Sequence, residues 1–297
     1  MKRKTAINKP LAILTSDWHL RETQPLARTD NFMEAQWRKV QHIKDLQKEY
    51  GCPVVHAGDL FHHWKPSPWL LSQCFRYLPD EFYTIYGNHD LPQHNLDLRE
   101  KSGVNVLAEA GRIEILEGVH WGQTPVSHPE LIVSPGSDER VLVRHIMTWK
   151  GEPPYPDCEA GDAYRLLRAH PRANLILTGH NHQQFVARMD GRTLVNPGGI
   201  TRQEADEVDV RPAVYFWYGE GEVGRYELPF DEGVISREHI EEKKSRDHRI
   251  EAFVSKLKDE WETSLSFEDN LERFFAINKT RPAIKEIIYE SLDADLK

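Results

Sequence analysis

Long apolar runs are missing from this chain. No stretch approaches the roughly 18 apolar residues of a membrane span, and the basic start MKRKTAINKP leads only into a short apolar strand before Asp17. Neither a transmembrane helix nor a signal peptide is therefore expected. Cysteine is scarce: Cys52, Cys74 and Cys158 are an odd number without CxxC spacing, which argues against a disulfide scaffold and a thiolate zinc site and fits a reducing cytoplasm. A basic excess is absent as well. The formal net charge is -9 at pH 7, awkward for a protein that holds nucleic acid by bulk charge. It leaves room for a local basic groove, and for a carboxylate-rich site whose charge is met by bound cations. No internal repeat or low-complexity tract occurs. What remains is a 297-residue chain, 39% hydrophobic and 29% charged, of ordinary globular composition, long enough for one large core or two modest domains.

From Pro10 to about Phe230 the pattern alternates between strand and helix. Apolar runs at 11–15, 53–57, 81–86, 140–144 and 174–178 read as strands, most of them closing on a short polar motif. Residues 32–50, 69–78 and 161–169 have the length and mixed pattern of helices. Further strands are expected at 113–116, 131–133, 193–195 and 213–218, as a second sheet packed against the first. The expected fold is α/β: a four-layer α-β-β-α sandwich of two mixed sheets with flanking helices, plus a short helical C-terminal region. Residues 1–232 form the expected main domain and residues 233–297 a helical extension. In that extension the apolar positions are sparse and helically spaced, and helices are expected at about 236–260, 266–275 and 281–292. Ser266, followed three residues later by Asp269, resembles a capping box.

The chemistry is concentrated where strands end. Asp17 and His19 are one residue apart, so a loop can turn an oxygen and an imidazole nitrogen toward one ion. Asp59 follows a strand in the same way, and a carboxylate can bridge two ions. Asn88 offers a neutral oxygen, which limits negative charge. His180 and His182 repeat the one-residue spacing, and His145 is a lone nitrogen donor. Two divalent ions about 3.5–4 Å apart lower the pKa of a shared water and clamp a phosphoryl oxygen during in-line attack. Mixed N/O ligation suits manganese, iron or zinc rather than copper.

The ordered set DxH, GD, GNHD, a lone His and GHxH, here Asp17/His19, Gly58/Asp59, Gly87 to Asp90, His145 and Gly179 to His182, resembles the calcineurin-like metallophosphoesterase superfamily. The resemblance runs from about Leu11 to Phe230. It implies one ion on Asp17, His19, Asp59 and His182, and a second on Asp59, Asn88, His145 and His180. The stretches Thr15 to Leu20 and Gly58 to His62 are similar to the SbcD-like DNA-repair exonuclease branch. By that likeness His62 orients His89, and His89 assists the leaving oxygen, a task suited to imidazole. The chain departs from the branch at Arg21, where Gly is common, and at Gly199, where a Ser is expected.

The implied activity is metal-dependent phosphodiester hydrolysis by a hydroxide bridging two ions, most simply that of a manganese-dependent DNA nuclease, exonucleolytic or single-strand endonucleolytic. The alternatives are a small-substrate phosphodiesterase or phosphatase acting on nucleotides, and an inert interaction module, which the retained donors disfavour. Arg21, Lys150 and Arg202 are candidates for phosphate contact. Asp90 is expected to support the ligands rather than to be one. His63, His94, His120 and His128 read as loop, surface or packing residues, and Trp64, Trp69, Trp121 and Trp149 as packing before base stacking. The implied partners are DNA and, for the C-terminal helices, a coiled-coil SMC-like ATPase or a second copy as a homodimer.

Overall fold

The computed structural model describes residues 9–117, 119–123, 131–132, 140–153, 158, 161–238 and 266–294. In chain order the elements are β1 (Ala12–Thr15), α1 (Phe32–Tyr50), β2 (Val54–His56), α2 (Pro68–Tyr77), β3 (Phe82–Thr84), α3 (Gly103–Glu109), β4 (Glu114–Ile115), β5 (Leu131–Ile132) and β6 (Arg140–His145). They continue with β7 (Thr148–Trp149), β8 (Gly161–Asp162), α4 (Ala163–Ala169), β9 (Leu175–Gly179), β10 (Phe185–Met189), β11 (Arg192–Asn196), β12 (Ala213–Gly219), β13 (Glu222–Glu227), α5 (Phe267–Ile277) and α6 (Pro282–Ala294).

Two mixed sheets result. The first has the order β13-β12-β1-β2-β3-β4 and the second β10-β11-β9-β6-β5. Parallel pairs β1/β2, β2/β3 and β3/β4 make up four of the six strands of one sheet, and β9 lies parallel to both β6 and β11 in the other. The strand sequences are continuously apolar because both faces are buried. Ala12, Leu14 and Val55 on the first sheet meet Val141, Val143, Leu175, Leu177 and Val195 on the second, filling the space between sheets. The alternate residues Ile13, Val54 and Phe82 face outward onto Val40, Ile43 and Leu46 of α1, Leu70 of α2 and Leu107 of α3. Leu142, Ile176 and Leu194 face the opposite way, onto Ala163, Leu166 and Leu167 of α4. The period of two thus produces the four layers α-β-β-α.

The strands expected at 113–116 and 213–218 do not belong to the second sheet. They join the first as β4 and β12, the latter antiparallel to β1 with Ala12 opposite Trp217 and Leu14 opposite Tyr215. Strands β6 and β9 instead belong to the second sheet, where β9 is central, between β11 and β6. Composition alone carries no information on which of two buried sheets a strand joins. The helix expected at 161–169 begins only at Ala163: Asp162 caps it by accepting from Arg165 N, while Gly161 and Asp162 pair with β7. Strands β10 and β13 and helix α3 were not expected. Both strands lie at sheet edges with one face open, so their alternation is weak.

The chain divides into two compact units, residues 1–236 and 237–297. In the second, α5 buries Leu271, Phe274 and Phe275 against Ile288 and Tyr289 of α6. The Ser266 hydroxyl accepts from Asp269 N at 3.1 Å and donates to its carboxylate at 2.8 Å, as the capping pattern implies. Most of the helix expected at 236–260, like His128, lies outside the described residues. Among the described residues no helix is long and apolar enough to cross a membrane.

Candidate metal centre

The polar motifs occupy the loops that leave the C-terminal ends of β1, β2, β3, β6 and β9, so both sheets feed one crevice. Trp18 anchors the first loop. Fully buried, it donates from Nε1 to Thr15 Oγ1 at 2.7 Å and sits edge-on to Phe82, with ring centroids 5.1 Å apart. With the intervening side chain fixed below, Asp17 and His19 flank it in left-handed backbone conformation, at φ 51° and 44°. Asp59 at 58° and His180 at 83° share this unusual region. Ladder-like bonds from Asp17 N to Gly58 O and from His19 N to Asp59 O, both 3.0 Å, tie the first two loops together. Glycine precedes Asp59 and Asn88 for steric reasons. A Cβ at Gly58 would meet His145 Nδ1 at 2.7 Å, and one at Gly87 would collide with Asp59 Oδ1.

The side chains converge in two mixed N/O clusters. Asp17, His19 and His182 form one, and Asp59, His145 and His180 the other, with donor atoms in each group within 4.8 Å of one another. Asp59 Oδ2 lies between them, 3.5 Å from His19 Nε2 and 3.3 Å from His145 Nε2. Asn88 Oδ1 is 3.0 Å from His145 Nε2 and 2.9 Å from His180 Nδ1. His19 Nε2 and His182 Nε2 stand 3.1 Å apart. Together these are two metal-ligand clusters of the dinuclear phosphoesterase type.

Supporting contacts aim the rings. His145 Nδ1 donates to Ala57 O at 2.7 Å, and His182 Nδ1 faces Glu207 Oε1 at 3.5 Å. Both Nε2 atoms are thereby turned into the crevice, as outer contacts of metal-binding histidines do. Glu207 is itself held, its Oε2 accepting from Gln203 N at 2.6 Å and Glu204 N at 2.9 Å. Asp90 is fully buried. Its carboxylate accepts from the backbone N–H of Asp59, Leu60, Phe61 and Gly87, locking the second loop to the third.

Electrostatics follow this geometry. Burial opposes charge on His145, yet the Asp59 carboxylate beside it holds its pKa up at about 9; Glu207 does the same for His182, also at about 9. Burial alone would raise Asp59, but His145 and then His19 hold it well below the carboxylate range. Asp90, buried and next to Asp59, is pushed up to about 7. His180 is lowered to about 4 by burial and the His145 charge.

The donor set fits divalent cations. His19 Nδ1 is buried without a hydrogen-bond partner. If it carries the proton, a buried donor is unmet and two Nε2 lone pairs face each other; if Nε2 carries it, a buried acceptor is unmet. A cation between the Nε2 atoms removes the lone-pair repulsion and leaves Nδ1 as the nitrogen that carries the proton.

The other predicted residues are placed unevenly. His89 stands at the crevice, its N–H on Asp59 Oδ1 at 2.8 Å. Its Nδ1 donates to the backbone carbonyl of His62 at 2.9 Å. The expected orienting bond from the His62 side chain is therefore corrected to a main-chain contact, with the two rings stacked 5.6 Å apart. Arg21 is adjacent: its charge contributes to lowering His62 to about 4, after burial, and its Nη1 donates to Gln203 Oε1 at 3.3 Å. Lys150 and Arg202 are turned elsewhere. Lys150 Nζ donates to Val186 O on β10 at 3.0 Å. Arg202 is buried, donating to Val208 O and Asp231 O with its guanidinium over Phe230. His120 is a packing residue, accepting from Tyr86 N at 2.9 Å. Trp121 packs on His180, with centroids 4.6 Å apart. Glu207 was not anticipated. It lies 25 positions beyond His182 in an acidic run without motif spacing, and only the fold brings it to the ring.

Residues 11–210 match the calcineurin-like phosphoesterase superfamily domain. Two curated relatives are similar to the chain, both named DNA double-strand break repair protein Mre11. The one from Archaeoglobus fulgidus is 28% identical, over 52% of this chain and 42% of its own. The one from Haloferax volcanii is 29% identical, over 67% and 47%. The chain thus spans under half the length of these relatives. Among solved structures, an archaeal phosphodiesterase overlaps 73% of this chain and 99% of its own at 13% identity and a TM-score of 0.39.

Proposed function

Since this chain belongs to the calcineurin-like phosphoesterase superfamily, we propose that it hydrolyses phosphodiesters and that its substrate is DNA. The observation that carries this reading is the pair of mixed N/O clusters meeting at Asp59, with the ring of His89 beside them. In this reading Asp17, His19, Asp59 and His182 hold one divalent ion, and Asp59, Asn88, His145 and His180 the other. Bound there, the two ions, manganese in our assignment, supply an activated water and an electrostatic clamp for the phosphoryl oxygens.

The protein's own groups do the rest. Asn88 orients the phosphate beside His145 and His180. His89, its Nδ1 fixed on the His62 carbonyl, presents Nε2 to the departing ester oxygen and hands it a proton. Arg21 sits at the rim and contacts a flanking phosphate. The DNA assignment draws support from the printed names of the two relatives. The C-terminal helices are assigned, on the same footing, to docking a coiled-coil ATPase or a second copy. The formal charge of -9 favours a second reading, a nucleotide-sized diester in place of a polymer.

Manganese-dependent hydrolysis of end-labelled single- and double-stranded DNA, run beside bis-p-nitrophenyl phosphate, separates the two. Shortening of DNA by the wild-type protein and not by His89→Ala is the expected result. Cleavage of the small diester with DNA left intact would move the assignment to a small-substrate phosphodiesterase. The His89→Ala protein is expected to keep both ions, whereas Asp59→Ala loses both together with activity. Turnover by Asp59→Ala would remove Asp59 from its bridging role.

A further inference from the structure

A third group of donors lies against the two clusters. His19, His62 and His89 offer one nitrogen each, all within 4.8 Å of one another. His19 stands edge-on to both other rings, with centroids at 4.7 Å from His89 and 5.9 Å from His62, and His62 stacks on His89 at 5.6 Å. The available lone pairs are well defined. The His89 Nδ1 proton is committed to the His62 carbonyl, so Nε2 is the nitrogen left to face the crevice, where zinc would take the place of the proton that it donates. Nδ1 of His19 is buried without a hydrogen-bond partner, while Nε2 of the same ring faces His182 and Asp59.

We propose that these three imidazoles form a zinc site through which zinc arrests the enzyme. The chemistry differs from that of the neighbouring clusters, because the group contains nitrogen alone. All-imidazole sets hold zinc well and manganese poorly, following the general order of divalent affinities. Three protein ligands with a fourth position open to solvent are a common zinc arrangement. Ligands about 2.0–2.1 Å from a tetrahedral ion are roughly 3.4 Å apart, so the present spacing closes by rotation of His62, whose side chain is only partly buried.

Zinc at this position takes the Nε2 of His89 and one nitrogen of His19; with its other nitrogen on the Asp17 cluster, the His19 ring would bridge two ions as an imidazolate, its ring proton released to solvent. The arrest itself rests on the assignment of His89 to the leaving group; the binding does not. Manganese at the mixed clusters and zinc at the triad would then act in opposition, on the same face of the protein.

Zinc content after gel filtration tests the site directly in the wild-type chain, His62→Ala, His62→Asn and Asp59→Ala. The wild-type protein is expected to carry one zinc more than either His62 variant, and to show in a cobalt titration an intense four-coordinate absorption band that both variants lack. Equal zinc content and equal cobalt spectra in wild type and folded His62 variants would overturn the site. Asp59→Ala reports on the mixed clusters alone: zinc retained there in full sinks the dinuclear reading, while the His62 comparison still decides the triad. In the manganese-loaded protein, micromolar zinc is expected to slow wild-type hydrolysis about tenfold or more, and each His62 variant, relative to its own zinc-free rate, less than about twofold.

Discussion

Asp17, His19, Asp59 and His180 occupy backbone positions that cost on the order of 1–3 kcal/mol each for a residue with a side chain. The surroundings hold them there through the loop-to-loop bonds of Asp17 and His19, and through Asp90, which receives four backbone donors at once. The seven residues picked out by motif, Asp17, His19, Asp59, Asn88, His145, His180 and His182, were legible because each lies at the end of a strand with an unmistakable apolar run or within four residues of it. Their supports were less so. The carbonyls of Ala57 and His62 have no side-chain signature, and Glu207 reaches His182 only through the turn at Ala205–Asp209. Glu207→Ala is expected to lower divalent-ion affinity about 10–100-fold in equilibrium dialysis, with Glu207→Gln recovering part of the loss. Unchanged affinity in the Ala variant would show that His182 needs no such orientation.

At the level of elements, β1 and the loop after it depend on one indole. Trp18→Ala empties a fully enclosed site and should destabilise the chain by about 3–5 kcal/mol in denaturant unfolding; the accompanying loss of ion binding should exceed that of a core substitution far from the crevice. Helix α1 has the full length read from the pattern of residues 32–50; in the structure Asn31 caps its start and Gly51, at φ 56°, closes it. Edge strands β10 and β13 were not, for want of a second buried face. Helix α1 also buries Lys39, and burial, then the Arg28 and Arg38 charges, lowers its pKa from 10.5 to about 8. The unfolded chain then binds more protons than the folded one between these values, so stability rises with pH across that window, by on the order of 3 kcal/mol. Unfolding free energies measured from pH 7 to 10.5 should show this rise in the wild type and lose it in Lys39→Met. A parallel rise in both proteins would assign the effect to other groups.

For the whole molecule, the two sheets were foreseen and their membership was not. Parallel neighbours such as β6 and β9 are far apart in sequence, and no residue pattern records which buried strand lies beside which. If the substrate is DNA, its affinity should fall steeply with salt, because phosphate contacts release counterions regardless of the protein's overall charge. The residue set Asp17, Asp59 and Asn88 belongs to the loops of one sheet, and His145, His180 and His182 to those of the other. Across the crevice the loops of the two sheets are tied by a few contacts through these same residues, such as His180 N on Asp17 Oδ1 at 2.9 Å and His145 Nδ1 on Ala57 O at 2.7 Å. Bound cations would therefore act as rivets as well as reagents. Stabilisation of about 2.7 kcal/mol is expected at a hundredfold excess over the dissociation constant. Chelation should accordingly lower the melting temperature and quicken amide exchange in β1, β2, β6 and β9 together, so that the protein's rigidity, like its chemistry, follows the supply of metal.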